Sequence, residues 1–187
     1  MAGTLAEIGM NARYMPMNER TGNVLAEKRG SGGGAAVMLY CPIDTHLEGN
    51  EDDQPWVGPS HFVDLHPKAK QQGDWVYGLG ASNPKGMIAT LTEVATALIE
   101  AEVPLTGDLL VGLADGGMPV DISARDHAGM SNGLHHLLAR GAAADFAIIM
   151  KPWNFVYHEE PGIGWFKLRI LGSYGYAGVP RGTPGFR

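Results

Sequence analysis

Residues 75–102, WVYGLGASNPKGMIATLTEVATALIEAE, combine a short apolar strand, a glycine-rich turn and a long amphipathic helix. Apolar side chains recur in the second half of this stretch at the spacing of one helix face, at Met87, Ile88, Leu91, Val94, Ala95, Leu98 and Ile99. A helix with one broad apolar stripe buries it against a flat apolar surface, so a sheet is the expected partner. The turn 78–86 is rich in glycine, which permits positive φ and close backbone approach, and we expect a binding site or a tight packing corner there.

Three continuously apolar segments surround this unit, at residues 35–41, 109–113 and 146–150. Such runs are typical of central parallel strands that are covered on both faces. A further helix is predicted over 131–140, with Gly141 just after its end. The alternation of strands and helices predicts an α/β fold, with a three-layer, mostly parallel sheet and helices on both faces.

Parallel strands joined by right-handed crossovers place all of their carboxyl ends at the same edge of a sheet. This rule brings together three segments and a nearby turn, namely 42–48, 114–119, 151–154 and 80–86. Ligands of open α/β sheets bind at that edge, so we expect the functional residues there.

Three other segments carry weaker signals. The glycine-rich segment 30–34 predicts the exposed tip of a hairpin, since no helix follows it as in a phosphate loop. The polar segment 49–73 predicts a long loop. Residues 165–171 alternate between apolar and polar, as in a half-exposed antiparallel strand, and too little chain follows to cover the apolar face. We therefore expect residues 161–187 to be poorly ordered, or to be ordered only by contact with another chain.

Composition limits the classes of function. The chain has 187 residues and a formal net charge of −6, and this acidic balance argues against nucleic acid as a partner. No apolar run approaches the roughly 20 residues of a membrane span, and the N-terminus lacks the pattern of a signal peptide, so a cytoplasmic protein is expected. A single cysteine, Cys41, excludes an internal disulfide and a cysteine-only zinc cluster.

Four turns resemble, in the same order, the motifs of a zinc metallopeptidase and amidohydrolase family. Its members include acetylornithine deacetylase, succinyl-diaminopimelate desuccinylase, aminoacylase and glutamate carboxypeptidase. The similar segments are 39–45 (first metal motif), 78–86 (bridging carboxylate), 114–118 (double glutamate) and 150–153 (next ligand), and 172–180 resembles the opening of the lid. The resemblance implies a dinuclear zinc hydrolase whose α/β catalytic domain is interrupted by a lid or dimerisation domain. It assigns residues 1–160 to a partial catalytic domain and 161–187 to the start of the lid.

Most positions that the resemblance marks as functional carry other residues here. Asp44 alone keeps the type expected of it, an orienting aspartate. The other positions are Pro42 for a zinc-binding histidine, Asn83 for the bridging aspartate, Gly116 for the general base, Gly117 for a ligand glutamate, Lys151 for an acidic ligand and Tyr176 for the lid histidine. Zinc requires anionic or imidazole ligands, and glycine cannot act as a general base.

Two functions stay open on these grounds. The first is a pseudoenzyme, non-catalytic subunit or fragment that lacks the dinuclear metal chemistry and needs no cofactor. The alternative is an active hydrolase of C–N bonds in amides or N-acyl amino acids that uses zinc at a displaced or partner-completed site. Its candidate ligands are Asp44 and His46, with Cys41, Glu48 or Asp52 beside them. Either protein could form a homo- or hetero-oligomer through 161–187, and neither would bind nucleic acid or a membrane.

The resemblance also predicts a cis peptide bond between Asn83 and Pro84. In the family, the bond after the bridging aspartate is typically cis although no proline follows. A proline lowers the free-energy cost of the cis form to about 0.5–1 kcal/mol, so the turn could keep that geometry here. A trans proline in the first turn of the helix is the alternative.

Overall fold

The computed structural model describes residues 1–19, 21–45, 47, 67–117, 129–151 and 156–158. The chain divides into two units, Met1–Trp153 and Asn154–Arg187. All described helices and strands belong to the first unit. They are α1 (Ala2–Glu7), β1 (Asn11–Pro16), β2 (Gly22–Lys28), β3 (Val37–Pro42), β4 (Lys70–Gln72), β5 (Trp75–Tyr77), a wide helical turn (Ala81–Gly86), α2 (Met87–Glu100), β6 (Leu109–Ala114), α3 (Asn132–Ala139) and β7 (Phe146–Ile149).

Five of these strands form one sheet in the order β1-β2-β6-β3-β7. Strand β3 runs parallel to both β6 and β7, so the three apolar segments form the parallel part of the sheet as predicted. Strands β1 and β2 extend it with antiparallel pairings, β1 to β2 and β2 to β6. The α/β prediction is confirmed, and the described sheet is mixed. Strands β4 and β5 form a separate two-stranded sheet.

Helices cover both faces of the five-stranded sheet. On one face, α2 buries Ile88, Leu91 and Ala95 in a cluster with side chains of α1, β2, β3 and β6. On the other face, Leu137 of α3 packs in a second cluster with side chains of β1, β2, β3 and β6. Full burial of such a side chain stabilises a fold by roughly 1.5–3 kcal/mol, which explains why most of the predicted apolar stripe of α2 lies on the sheet. Val94, which was predicted in the stripe, is instead exposed.

The segment 30–34 does not close a hairpin, and this prediction is wrong. Strands β2 and β3 lie on either side of β6, so the segment crosses the end of β6. The N–H groups of Ser31 and Gly32 donate to the carbonyls of Leu105 (2.8 Å) and Thr106 (2.9 Å) just before β6. Because β6 comes from about 80 residues later in the chain, no local pattern in 30–34 reveals this insertion.

Two predictions concern segments that are described in part or not at all. Of the predicted loop 49–73, residues 67–73 are described, and they contain the short strand β4. The predicted strand 165–171 and the whole of 161–187 lie outside the described residues. None of the helices in the described ranges is long and apolar enough to cross a lipid bilayer.

Candidate functional site

The carboxyl ends of β3 and β6 meet, as the topology predicts. Asp44 lies two residues beyond β3, and its Oδ1 accepts a hydrogen bond of 2.9 Å from the backbone N–H of Gly117. The N–H of Ile43 donates to the carbonyl of Ala114 at 3.0 Å, which continues the pairing of the two strands past their ends. The carboxylate that matches the orienting aspartate of the resembling family is thus held by backbone of the double-glutamate motif.

Gly117 lies against Pro42 with no space for a side chain. A Cβ atom built on Gly117 would lie 2.4 Å from Cβ of Pro42 and 3.4 Å from Oδ1 of Asp44. Gly116, at the position of the general base, has φ 68°, in the left-handed region that favours glycine. Both positions where the resembling family has glutamates are therefore shaped for glycine in this chain.

The turn before α2 has the geometry that the resemblance predicts. The peptide bond between Asn83 and Pro84 is cis, which confirms the prediction. Asn83 leaves helical geometry, with φ −116° and ψ 112°, and its side chain is exposed. Pro84 is buried, and its carbonyl oxygen lies 3.9 Å from Sγ of Cys41 in β3. The turn 81–86 therefore contacts the end of β3, near the other motifs.

Lys85 brings a positive charge to this edge of the sheet. Its Nζ lies over Gly80, since a Cβ atom on Gly80 would be 2.7 Å from Lys85 Nζ and 2.8 Å from Thr45 Cγ2. Burial lowers the pKa of Lys85, while the charge of Asp44 acts in the opposite direction. Nothing in the sequence marks this residue, because a lysine in a turn gives no local sign that its side chain folds back over a glycine.

Lys151 lies just beyond β7, the strand that flanks β3 on the side opposite β6. The preceding Met150 donates its N–H to the carbonyl of Tyr40 at 2.9 Å. Burial raises the pKa of the Cys41 thiol to about 11, and the charge of Lys151 partly offsets this rise. Burial also raises the pKa of Tyr40 to about 12, with smaller contributions from Asp44 and Cys41. Cys41 is therefore a neutral, buried thiol near pH 7, which makes it a poor metal ligand.

A buried polar network fixes the backbone that carries Gly116 and Gly117. Asn23 in β2 is fully buried, and its Oδ1 accepts a hydrogen bond of 3.0 Å from the N–H of Asp115. Its Nδ2 donates to the carbonyl of Gly133 at 3.1 Å and lies 3.1 Å from Nδ1 of His136 in α3. The one sequence signal for this role is the position of a polar asparagine within β2, directly before the apolar residues Val24 and Leu25.

The described residues at this edge do not fit a dinuclear zinc centre. Among the positions that match family ligands, Pro42, Gly117 and Lys151 supply no metal-binding atom, and Asn83 supplies a neutral amide. Within the described ranges, no group of three His, Cys, Asp or Glu side chains could hold a metal ion. His46 and Tyr176, also named from the sequence, lie outside the described residues.

A search of protein-family models finds no match to this chain. Among solved structures, the chain is similar to human carnosine dipeptidase 1, with a TM-score of 0.52 and 18% sequence identity over 79% of this chain and 30% of the dipeptidase. It is also similar to the Bacteroides thetaiotaomicron glutaminyl cyclase bound to N-acetylhistamine, with a TM-score of 0.51 and 15% identity over 79% of this chain and 50% of the cyclase. The chain thus spans half or less of the length of either protein, and identities this low show the fold alone. The chain therefore has an α/β fold similar to those of these two proteins, in agreement with the α/β fold that the sequence predicts.

Proposed function

We propose that this chain is a pseudoenzyme of the zinc amidohydrolase and deacylase type, a non-catalytic subunit or binding module without two-metal chemistry. The observation that carries the proposal is the contact among Pro42, Asp44 and Gly117. In this contact Pro42 stands at the position where the resembling family has a histidine, and Gly117, at the position of a ligand glutamate, has no side chain and donates its backbone N–H to Asp44. The chain then keeps the peptidase-like fold for a role other than amide hydrolysis.

The chemistry of the remaining groups supports this proposal. Two divalent cations bound close together need several anionic ligands, and a bridging carboxylate balances their charge. The neutral amide of Asn83 cannot do this. Gly116 has no side chain that could take a proton from water, so the general base is missing as well.

The charges around the end of β3 also support it. Lys85 lies on the α2 side of this strand end, near Asp44, and Lys151 follows the neighbouring strand β7. Both side chains are exposed, so their ammonium groups repel a metal cation through a Coulomb interaction that water screens in part. Two lysines at the predicted metal position therefore disfavour binding of zinc.

The alternative function is a C–N hydrolase with a displaced or partner-completed zinc site. The structure weighs against Cys41 as a ligand of such a site, because its thiol is buried and its pKa is raised to about 11. Asp44 and His46 remain the candidate ligands, with Glu48 or Asp52 beside them. The experiment below decides between the pseudoenzyme and a zinc site displaced within this chain.

The test is metal analysis of the purified chain combined with an activity panel. The protein is loaded with excess zinc, dialysed, and assayed for bound zinc and for hydrolysis of N-acyl amino acids and dipeptides. We expect less than about 0.1 equivalents of zinc and no hydrolysis above a protein-free blank. Two tightly bound equivalents would overturn the proposal. Zinc-dependent hydrolysis that disappears in Asp44→Asn would establish the alternative.

A further inference from the structure

Strand β7 forms an edge of the five-stranded sheet and exposes apolar side chains. Among the described strands it pairs with β3 alone, and all four of its residues are exposed. The exposed fractions are 66% for Phe146, 53% for Ile148 and 45% for Ile149. Edge strands of soluble proteins usually carry a charge or a proline that prevents pairing with another chain, and FAII has neither.

The apolar side chains of β7 lie on both faces of the sheet. Ile148 pairs with Leu39, which belongs to the core beneath α2, whereas Ile149 pairs with Tyr40, which belongs to the core beneath α3. A strand that is apolar on both faces is typical of the interior of a sheet. The composition of β7 therefore indicates that another strand lies along its free edge.

We propose that this strand is β7 of a second copy of the chain, so that two copies form a homodimer with a continuous sheet. A twofold axis brings the same surface of two subunits together, and two identical strands related by such an axis run antiparallel. The backbone N–H and C=O groups on the free edge of β7 fit this arrangement, and so do the charged residues on either side of the strand.

The hydrogen bonds to β3 determine which groups point to the free edge. The N–H of Phe146 donates to the carbonyl of Ala36 at 3.1 Å, and that of Met150 donates to Tyr40 at 2.9 Å. Because successive residues of a strand point their N–H and C=O groups to opposite sides, Ala147 and Ile149 present theirs to the free edge. Ala147 of one copy can then exchange two hydrogen bonds with Ile149 of the other, with Ile148 on the twofold axis.

The charges that flank β7 favour this register. With Ile148 on the axis, Asp145 of each copy lies opposite Lys151 of the other, on the same face of the sheet, and both residues are exposed. The other registers with matching hydrogen-bond groups place Ala147 opposite Ala147 or Ile149 opposite Ile149, and neither brings the two charges together. Asp145 Oδ2 also accepts a 2.7 Å hydrogen bond from the N–H of Ala36, which holds this carboxylate at the start of β7.

The first experiment is sedimentation equilibrium of the full chain over a range of micromolar concentrations, together with a cysteine cross-link. We expect a monomer–dimer equilibrium, and we expect Ile148→Cys to form a disulfide-linked dimer under mild oxidation, because the two side chains face each other at the axis. Val94→Cys is the matched control, since this residue is 41% exposed on α2, and it should not cross-link. The native Cys41 is buried and does not compete.

Charge exchange tests the register. Lys151→Asp places two pairs of like charges across the axis and should raise the dissociation constant of the dimer at least tenfold. The double variant Asp145→Lys with Lys151→Asp should restore it to within about threefold of wild type. Ile148→Lys places a charge in the middle of the edge and should leave only monomer. The thermal unfolding of each variant is measured, so that a folding defect is not read as loss of the interface.

Three results would overturn the proposal. They are a monomer at all concentrations, a dimer unaffected by Ile148→Lys, and hydrogen-exchange protection of Ala147 and Ile149 in the monomer, which would mean that the same chain covers the edge. None of these measurements depends on zinc or hydrolysis. The dimer and the proposed function therefore stand or fall separately.

Discussion

Replacement of Gly117 by alanine tests whether the strand ends at the candidate site are in contact as described. The new Cβ would lie 2.4 Å from Cβ of Pro42, whereas carbon atoms in contact are about 3.5–4.0 Å apart. The two segments must therefore separate by about 1 Å, and this stretches the hydrogen bond of 2.9 Å from Gly117 N–H to Asp44. Overpacking costs about 1–3 kcal/mol, and loss of a hydrogen bond to a charged group about 1.5–3 kcal/mol. Because one movement causes both losses, we expect a total of about 2–4 kcal/mol.

Urea unfolding followed by circular dichroism measures this loss, and the melting temperature should fall by about 2–4 °C for each kcal/mol in a chain of this size. Gly3→Ala is the control, since Gly3 lies in α1 with no atom within 4 Å of an added Cβ, and it should leave the protein unchanged or stabilise it by up to about 1 kcal/mol. A second variant, Pro42→Gly combined with Gly117→Ala, removes the opposing Cβ and should cost less than the sum of the single changes. If the free energy of unfolding of Gly117→Ala lies within about 0.5 kcal/mol of the wild-type value, Gly117 and Pro42 are not in close contact.

Two further predictions concern the buried network behind the site. Asn23→Ala leaves the buried N–H of Asp115 without its hydrogen-bond partner and removes the bond from Nδ2 to the carbonyl of Gly133, so it should reduce the free energy of unfolding by about 1–3 kcal/mol, whereas Asn18→Ala in an exposed turn should cost less than about 1 kcal/mol. His136 has a pKa lowered mainly by burial, so the unfolded chain binds its proton more tightly than the folded chain. The stability that neutral His136 contributes should be lost as the pH falls below 6.5, the ordinary pKa of histidine, towards the lower pKa of His136 in the folded chain. We expect His136→Gln to flatten the dependence of the free energy of unfolding on pH in this window. His135→Gln, on the same helix, should retain this dependence. If both variants show the same slope of unfolding free energy against pH, His136 is not the group responsible.

The parallel half of the sheet could be predicted from the sequence because its signals are local. The strands β3, β6 and β7 are continuous apolar runs, and α2 has a clear helical period, so each segment reveals its own structure. The position of segment 30–34 could not be predicted in the same way. Its place beside residues 105–107 depends on β6 lying between β2 and β3, which is a contact between distant parts of the chain.

At the candidate site, the motifs predicted which segments lie near each other but not how their side chains are arranged. Asp44 and Gly117 were placed together by the order of strands and turns, and they are joined by a hydrogen bond. The roles of Lys85 and Asn23 depend on tertiary contacts, one with Gly80 and Thr45 and the other with Gly133 and His136, which have no counterpart in residue spacing. Sequence patterns identify the backbone frame of such a site more readily than the side-chain contacts that decide its chemistry.

The approach of Pro42 to Gly117 also bears on how far this chain is from a metal-binding form. Carbon atoms in non-bonded contact are about 3.5–4.0 Å apart, and here a Cβ on Gly117 would lie 2.4 Å from that of Pro42. A zinc ligand at each of these two positions would require a Cβ atom at both, so the backbone segments would have to separate before the side chains could bind a metal. The left-handed φ of 68° at Gly116 adds a second constraint, because a glutamate is strained in that conformation. A metal-binding form of this chain would therefore need a different backbone path at the ends of β3 and β6 as well as different side chains at Pro42, Gly116 and Gly117.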